Sequence, residues 1–219
     1  MITEKDTIRC EAVFSEDRLH RYLWKRVWNR DKPLAAVIML NPCMADTLTM
    51  DTTTFLVVNN IARLDLYGGV MIVNLFSRLT GKLNFRWNSD EDLNTPENDG
   101  YIRKAASESE TVILAWGRGQ DNQQRIADRV NAVLRLLDSW KEKLVVISDG
   151  ERSGIHPLTP SVRSAWKLEP FVEPEAIGPA ARRAAAEARS ACPATEGDSG
   201  SIPSETDARH SVAIDRAAG

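Results

Sequence analysis

Polar side chains follow four apolar runs of this sequence, and their types are suited to hydrogen-bonding and acid–base chemistry. Asn41-Pro42 follows the first run, and Asn74 lies near the end of the second. Trp116-Gly117-Arg118 ends the third, and His156-Pro157 follows the fourth after a short turn. An amide presents a donor and an acceptor side by side, and a neutral imidazole can donate to a developing anion. These residues are therefore candidates for a functional site.

Two carboxylates, Asp46 and Asp51, come shortly after the first of these motifs. They could serve as general bases, or could bind a cation together with Glu97 and Asp99. A role as a helix N-cap is an equal alternative for each of them. Asn98-Asp99 is also open to a capping role, because a predicted helix follows it. The sequence assigns no metal site to these residues.

The elements that must position these residues are predicted by hydrophobic periodicity. Continuous apolar runs are typical of strands buried on both faces, as parallel strands are. The predicted strands span residues 34–40, 70–76, 111–116 and 143–148. Amphipathic helices are predicted over 52–66, 98–109 and 122–137, with a long polar loop over 80–98. Arg9–Phe14 and Arg21–Trp28 predict a hairpin, or a strand and a short helix.

This alternation of strands and helices predicts an α/β protein, a three-layer α/β/α sandwich with a mostly parallel central sheet. Ligands of such sheets bind beyond the carboxyl ends of the strands, where the polar motifs lie. The first strand is not followed by Gly-x-Gly-x-x-Gly, and the chain has no Gly-Lys-Ser/Thr. We therefore expect no dinucleotide or P-loop nucleotide site, and no cofactor.

The composition divides the chain near residue 171. All fourteen aromatic residues lie between Phe14 and Phe171, and residues 172–219 are rich in Ala, Ser, Pro and Gly. Such a segment cannot bury enough apolar surface to offset its ordering entropy. We predict a globular α/β domain over residues 1–171 and a flexible, low-complexity tail over 172–219. The tail has eight acidic and five basic residues, so it carries the whole net charge of −3.

Charge and cysteine content bound the environment and the partners. A globular part with balanced charges argues against tight, sequence-independent binding of duplex DNA. The longest apolar run, near Leu34–Leu40, is too short to cross a bilayer, so no membrane association is expected. Three cysteines and no secretory signal indicate a reducing cytoplasm. No protein partner is indicated.

The motifs, taken in order, resemble the domain-of-unknown-function family 1643. The resemblance covers about residues 10–171, and Cys43 stands where the family pattern usually has Ser. The family's name implies no activity. The blocks that carry the resemblance are Leu40-Asn41-Pro42, Ala45-Asp46, Asp51-x-Thr53, Gly68-Gly69, Val73-Asn74-Leu75-Phe76, Pro96-Glu97-Asn98-Asp99, Leu114-Ala115-Trp116-Gly117 and His156-Pro157-Leu158.

Four of these motifs are also similar, in the same order, to strand-end motifs of the uracil-DNA glycosylase superfamily. The blocks are Leu40-Asn41-Pro42-Cys43, Val73-Asn74, Leu114-Ala115-Trp116-Gly117 and His156-Pro157. This resemblance implies a glycosylase-like fold and hydrolysis of an N-glycosidic bond. It implies that Asn41 positions the attacking water, that Asn74 reads the edge of the base and that His156 stabilises the departing base. Asp46 and Asp51 have no clear counterpart in those motifs.

The sequence thus predicts a protein that acts on a nucleobase-containing ligand, either a nucleotide or DNA, with hydrolysis as the leading activity. The alternative is a non-catalytic nucleotide- or nucleic-acid-binding module that retains the pocket. The predicted catalytic residues are Asn41, Asp46, Asp51 and His156. The predicted ligand-binding residues are Pro42, Asn74, Asn98, Asp99, Trp116, Gly117, Arg118 and Pro157.

Structural roles remain open for several of these residues. Asn41-Pro42 is also typical of a strand-ending turn, and Trp116 of a core residue. Asn74 could satisfy backbone groups at the sheet end, and a structural role is also open for His156, in the turn that Pro157 fixes. Cys43 lies outside any nucleophile elbow and is not predicted to be catalytic. The Trp residues are scattered along the chain, so a platform for single-stranded nucleic acid is not predicted.

Overall fold

The computed structural model describes residues 1–43, 46–117 and 124–173, and the elements named here lie within the compact unit Met1–Val172. Arg118 and most of the predicted tail lie outside the described residues. The strands are β1 Arg9–Phe14, β2 Arg21–Val27, β3 Leu34–Met39, β4 Gly69–Asn74, β5 Thr111–Leu114, β6 Leu144–Ser148 and β7 Lys167–Pro170. The helices are α1 Thr52–Arg63, α2 Asp90–Leu93, α3 Glu97–Glu108 and α4 Gln124–Leu136, with 3₁₀ turns at Asp138–Lys143 and Pro160–Val162.

The strands form one seven-stranded sheet in the order β1-β2-β4-β3-β5-β6-β7. The four central strands, β4, β3, β5 and β6, pair in parallel. The flanking strands β1, β2 and β7 pair antiparallel. The prediction of an α/β protein with a mostly parallel centre is confirmed. The hairpin of β1 and β2 was one of two predicted alternatives, whereas its antiparallel pairing with β4 and the strand β7 were not predicted.

Helices lie on both faces of the sheet, as the alternation of side chains along β3 requires. Ala36 and Ile38 pack into one core cluster with residues of α3 and α4, including Ile102 and Val133. Ala35 and Val37 pack into a second cluster, which includes residues of α1. Because both faces are covered, β3 is apolar at every position.

Two local predictions are resolved by the structure. The N-terminal segment is a hairpin, since β1 pairs antiparallel with β2. The segment predicted as a loop over 80–98 contains the short helix α2, which begins with a capping box formed by Ser89 and Asp92. A helix of four residues is too short to show an amphipathic period, so hydrophobic periodicity does not predict it.

The carboxyl ends of the central strands meet at one edge, and this edge positions the candidate site. Asn74 is in register with Met39, and Leu114 is in register with Ile38. Beyond β4 the pairing continues, because the Leu75 amide donates to the Met39 carbonyl at 2.8 Å. None of the helices in the described ranges is both long and apolar enough to span a bilayer.

Candidate functional site

Asn41 is half-buried two residues beyond β3, and its side chain is fixed in place. Its Nδ2 donates to the Thr80 carbonyl at 2.6 Å and lies 3.4 Å from the Pro42 carbonyl. The Thr80 amide in turn donates to the Pro42 carbonyl at 3.2 Å. Asn41 Oδ1 accepts no hydrogen bond from the described residues, so this oxygen can accept one from water or a ligand. Pro42 is buried, and its contribution is this backbone link.

Asn74 is the last residue of β4, and its side-chain amide is buried without a partner among the described residues. The residue is 1% exposed. Neither Nδ2 nor Oδ1 makes a hydrogen bond within the part of the chain that the structure describes. Two positions before it, Ile72 packs into the cluster of α1, so the Asn74 side chain lies on the same face of the sheet. A buried amide without partners is costly unless a ligand or water completes it.

Asn98 lies in the first turn of α3 and joins that helix to the end of β4. Its Nδ2 donates to the Asn74 carbonyl at 2.9 Å and to Asn94 Oδ1 at 2.7 Å, with the Leu75 carbonyl at 3.3 Å. The residue has no exposed surface. These contacts favour a positioning role for Asn98, because its donors are used to hold the backbone of the candidate site.

Asp99 is engaged by an arginine of the neighbouring helix. Its Oδ1 lies 2.5 Å from an Arg129 guanidinium nitrogen, and Arg129 Nε donates to the Leu75 carbonyl at 2.7 Å. This ion pair therefore supports the same stretch of backbone that Asn98 holds. The pair favours a supporting role for Asp99 over ligand contact.

His156 lies against Gly117, although the two residues are far apart in sequence. A Cβ added to Gly117 would be 2.9 Å from the His156 Cβ. Gly117 has a φ of 76°, in the left-handed region that favours glycine. The close approach places the imidazole beside the end of β5. Pro157 is buried in the turn that follows.

The hydrogen bonding of His156 defines its tautomer. The Leu158 amide donates to His156 Nδ1 at 3.2 Å, so Nδ1 acts as an acceptor and the proton is on Nε2. Burial lowers the pKa of His156, which keeps the ring neutral at physiological pH. Nε2 makes no hydrogen bond with the described residues, so its N–H is available as a donor.

Trp116 is half-buried and packs against the core cluster of α3 and α4. This contact favours the structural alternative for its indole. Arg118, the next candidate after Gly117, lies outside the described residues.

The two carboxylates that follow Asn41 are both engaged in local structure. Asp46 Oδ1 accepts from the Leu48 and Thr49 amides, each at 2.7 Å, and these bonds lower the pKa of Asp46. Asp51 caps α1 by accepting from the Thr54 amide at 2.9 Å. The lowered pKa makes the Asp46 carboxylate a weaker base, and the cap on α1 favours the structural alternative for Asp51.

The cation alternative finds no support in the geometry. Within the ranges 1–43, 46–117 and 124–173, no three acidic, His or Cys side chains are grouped so that they could hold a metal ion. Glu97 accepts a side-chain hydrogen bond from Thr95, which lowers the pKa of Glu97. Asp99 pairs with Arg129. The four carboxylates that the sequence offered as possible ligands therefore do not form one site.

Arg21 is a buried charge near the same edge that sequence reasoning did not single out. It is 1% exposed, and burial lowers the pKa of Arg21 to about 10, opposed by the charges of Asp51 and Cys43. Burial and the Asp51 carboxylate raise the pKa of the Cys43 thiol, which argues against a thiolate nucleophile. An arginine in a strand is ordinarily an edge or surface residue, so the sequence carries no signal of this burial.

β2 also holds the segment between Asn41 and α1. Trp24 Nε1 donates to the Asp46 carbonyl at 2.7 Å. An Arg26 guanidinium nitrogen lies 3.3 Å from the Thr47 carbonyl and 3.2 Å from the Leu48 carbonyl. The antiparallel strand thus holds the segment that leads from Asn41 to α1.

Comparison with known proteins gives a family for this arrangement. Neither the curated proteins nor the solved structures include a match to the chain. The sequence profile of the family described as Protein of unknown function (DUF1643) matches residues 21–158, which is more than half of the chain. This range runs from β2 to the turn after His156 and includes Asn41, Asn74 and Gly117. The chain therefore belongs to the DUF1643 family of proteins of unknown function.

Proposed function

We propose that the protein binds a nucleobase at the carboxyl edge of its sheet and hydrolyses the N-glycosidic bond that joins the base to its sugar. The observation that carries the proposal is the Asn74 amide, buried with both polar atoms unpartnered among the described residues. Its donor and acceptor match a ligand edge that offers an adjacent acceptor and donor, such as the O4 and N3–H of uracil. Recognition would satisfy both buried atoms of the amide at once.

His156 is suited to stabilise the departing base. Cleavage of the bond leaves negative charge on the base, and a neutral imidazole with its proton on Nε2 can donate to that anion. The Leu158 amide fixes this tautomer by donating to Nδ1. The close contact with Gly117 limits how the ring can move.

Asn41 is suited to orient the water. Its Nδ2 is used by the Thr80 carbonyl, which fixes the direction of the amide and leaves Oδ1 to accept from water. Hydrolysis adds the hydroxyl of that water to the anomeric carbon and the proton to the base nitrogen. The similarity of the strand-end motifs to those of the uracil-DNA glycosylase superfamily supports this division of roles.

A direct test is the release of free base. The protein would be incubated with nucleosides, nucleotides and single- and double-stranded oligonucleotides that contain uracil or hypoxanthine, and free base would be separated by chromatography. We expect release by the wild type, with a loss of about 100-fold or more in His156→Gln, the range for removal of one stabilising donor. His20→Gln is a matched control, since His20 is bonded to Ser77 and has no role in the proposal. No release from any of these substrates would overturn the hydrolytic proposal.

A second candidate is a binding module without catalytic activity. The specific observation that favours it is the engagement of both Asp46 and Asp51 in hydrogen bonds to backbone amides, which leaves hydrolysis without either predicted general base. This candidate predicts that the wild type binds uracil, that Asn74→Leu does not, and that no base is released.

A further inference from the structure

A groove lies beside the loop between β4 and α2, close to the candidate site. Its volume is about 600 Å³, and it is lined by residues 82–86 together with Gln124 and Arg125. Among the described residues, the lining includes three basic side chains and no acidic one. A groove of this character is complementary to an anionic ligand.

Two of the three basic residues have no counter-charge among the described residues. Arg125 pairs with Asp90 at 2.5 Å and also donates to the Phe85 carbonyl. Lys82 and Arg86 are exposed and take part in none of the ion pairs of the described ranges. Their charges are therefore available to an external anion.

An exposed aromatic ring stands next to these charges. Trp87 is 74% exposed, and the Arg86 guanidinium carbon lies 5.1 Å from the centre of its ring. Phe85 lines the groove itself. A single exposed ring is ordinary on a protein surface, so the informative feature is that Trp87 lies beside two basic side chains without ion pairs among the described residues. Base stacking on aromatic rings beside basic side chains is the common mode of binding single strands.

The same loop is joined to the candidate site by backbone hydrogen bonds. Thr80, two residues before Lys82, accepts from Asn41 Nδ2 and donates to the Pro42 carbonyl. A strand that lies along the loop would thus run toward Asn41. The lining of the groove shares no residue with the candidate site.

We propose that this groove binds single-stranded nucleic acid, with phosphates at Lys82 and Arg86 and a base stacked on Trp87. A duplex is disfavoured, since its bases are already stacked and two uncompensated charges are few for its phosphate density. The proposed function concerns a single nucleobase, whereas this groove would bind a polymer. This proposal differs from the expectation, drawn from the scattered Trp residues, that the chain has no platform for single-stranded nucleic acid.

The test is fluorescence anisotropy of the full-length protein with a labelled oligothymidylate, which offers no uracil or hypoxanthine for hydrolysis. We expect Trp87→Ala to weaken binding by about 5- to 100-fold, the range for loss of one stacked base. Arg86→Gln should weaken binding and reduce the slope of log K against log salt by about 0.7. Phe55→Ala and Arg103→Gln are matched controls, because both residues are exposed on helices, and they should leave binding unchanged.

Three results would overturn the proposal. The first is that the wild type does not bind the oligothymidylate. The second is that it binds a duplex of the same length with equal affinity. The third is that the control variants lose as much affinity as Trp87→Ala and Arg86→Gln do. An acidic peptide that binds with the same dependence on Trp87 and Arg86 would identify a protein partner instead and would also overturn it. Base release from free nucleosides tests the proposed function separately. Hydrolysis of nucleosides and binding of single strands can therefore fail independently of each other.

Discussion

The Cβ of His156 lies so close to Gly117 that residue 117 has no room for a side chain. An added Cβ would be 2.9 Å from the His156 Cβ, and the backbone of Gly117 has a φ of 76°. Two motifs separated by nearly forty residues are thereby joined at the carboxyl edge of the sheet. The contact explains why a glycine follows Trp116 at the end of this strand.

Substitution of this glycine should displace the imidazole. We expect Gly117→Ala to lower the unfolding free energy by about 1–3 kcal/mol and to reduce base release more than tenfold, through strain and the clash with His156. Gly154→Ala is a matched control, since Gly154 has a φ of 69° but no neighbour within 4 Å of an added Cβ. Equal losses of base release in the two variants would show that the contact with His156 has no functional role. Chemical denaturation and the base-release assay provide the measurements.

Replacement of the unpartnered amide should stabilise the protein while it abolishes binding. Asn74→Leu replaces a buried, unsatisfied polar side chain with an apolar one of similar shape, so we expect the unfolding free energy to rise by about 1–2 kcal/mol. Binding of uracil, measured by calorimetry, should be lost. This combination distinguishes a ligand-binding residue from a structural one.

The matched control is Asn60→Leu, at a residue that is also 1% exposed. Asn60 Nδ2 donates to the Leu56 carbonyl at 2.9 Å and to the Arg163 carbonyl at 3.0 Å. Loss of these bonds should lower the unfolding free energy by about 1–3 kcal/mol. A decrease of the same size in Asn74→Leu would contradict the assignment of Asn74 to a ligand.

We expect the free energy of unfolding to decrease as the pH falls from about 7.5 to 5.5. Burial lowers the pKa of both His20 and His156 below the value of about 6.5 expected in the unfolded chain. The unfolded state then binds more protons than the folded state, and the loss of stability begins as the pH falls through the unfolded pKa. His156→Gln should reduce the change in melting temperature over this range. An unchanged pH dependence in that variant would show that the imidazole titrates normally in the folded protein.

The two carboxylates near Asn41 should differ in their effects on stability. Asp51→Ala removes the cap of α1 and should lower the unfolding free energy by about 0.5–2 kcal/mol, as measured by chemical denaturation. Asp46→Ala alters only an exposed turn and should lower the unfolding free energy by less than Asp51→Ala does. Asp51→Asn keeps an acceptor for the Thr54 amide, so it should release base at a rate within about threefold of the wild type. A folded Asp51→Asn variant that has lost activity would identify Asp51 as the general base.

The central sheet was predicted correctly because the hydrophobic pattern of its strands is strong. Buried parallel strands such as 34–40 are continuous apolar runs. Because these strands run in the same direction, their carboxyl ends share one edge of the sheet, and ligands bind at that edge. That reasoning led to Asn41, Asn74, Gly117 and His156. β7 was not predicted, because it has only four residues, two of which are charged, and it ends in proline.

The details of the site depend on contacts that a sequence does not encode locally. The bond from Asn41 to Thr80 joins residues 39 positions apart, and Asp99 reaches Arg129 on another helix. Arg21 is charged yet buried, against its residue type. The groove beside Trp87 depends on how the loop after β4 folds against the start of α4.

A crystal structure of the protein soaked with uracil tests the assignment of Asn74 to a nucleobase. We predict that the base lies at the carboxyl edge with its O4 and N3 within about 3 Å of the Asn74 side-chain amide, and that His156 Nε2–H donates to its O2. Uracil bound elsewhere, or an Asn74 amide that is covered by the protein's own side chains in the complex, would contradict the account.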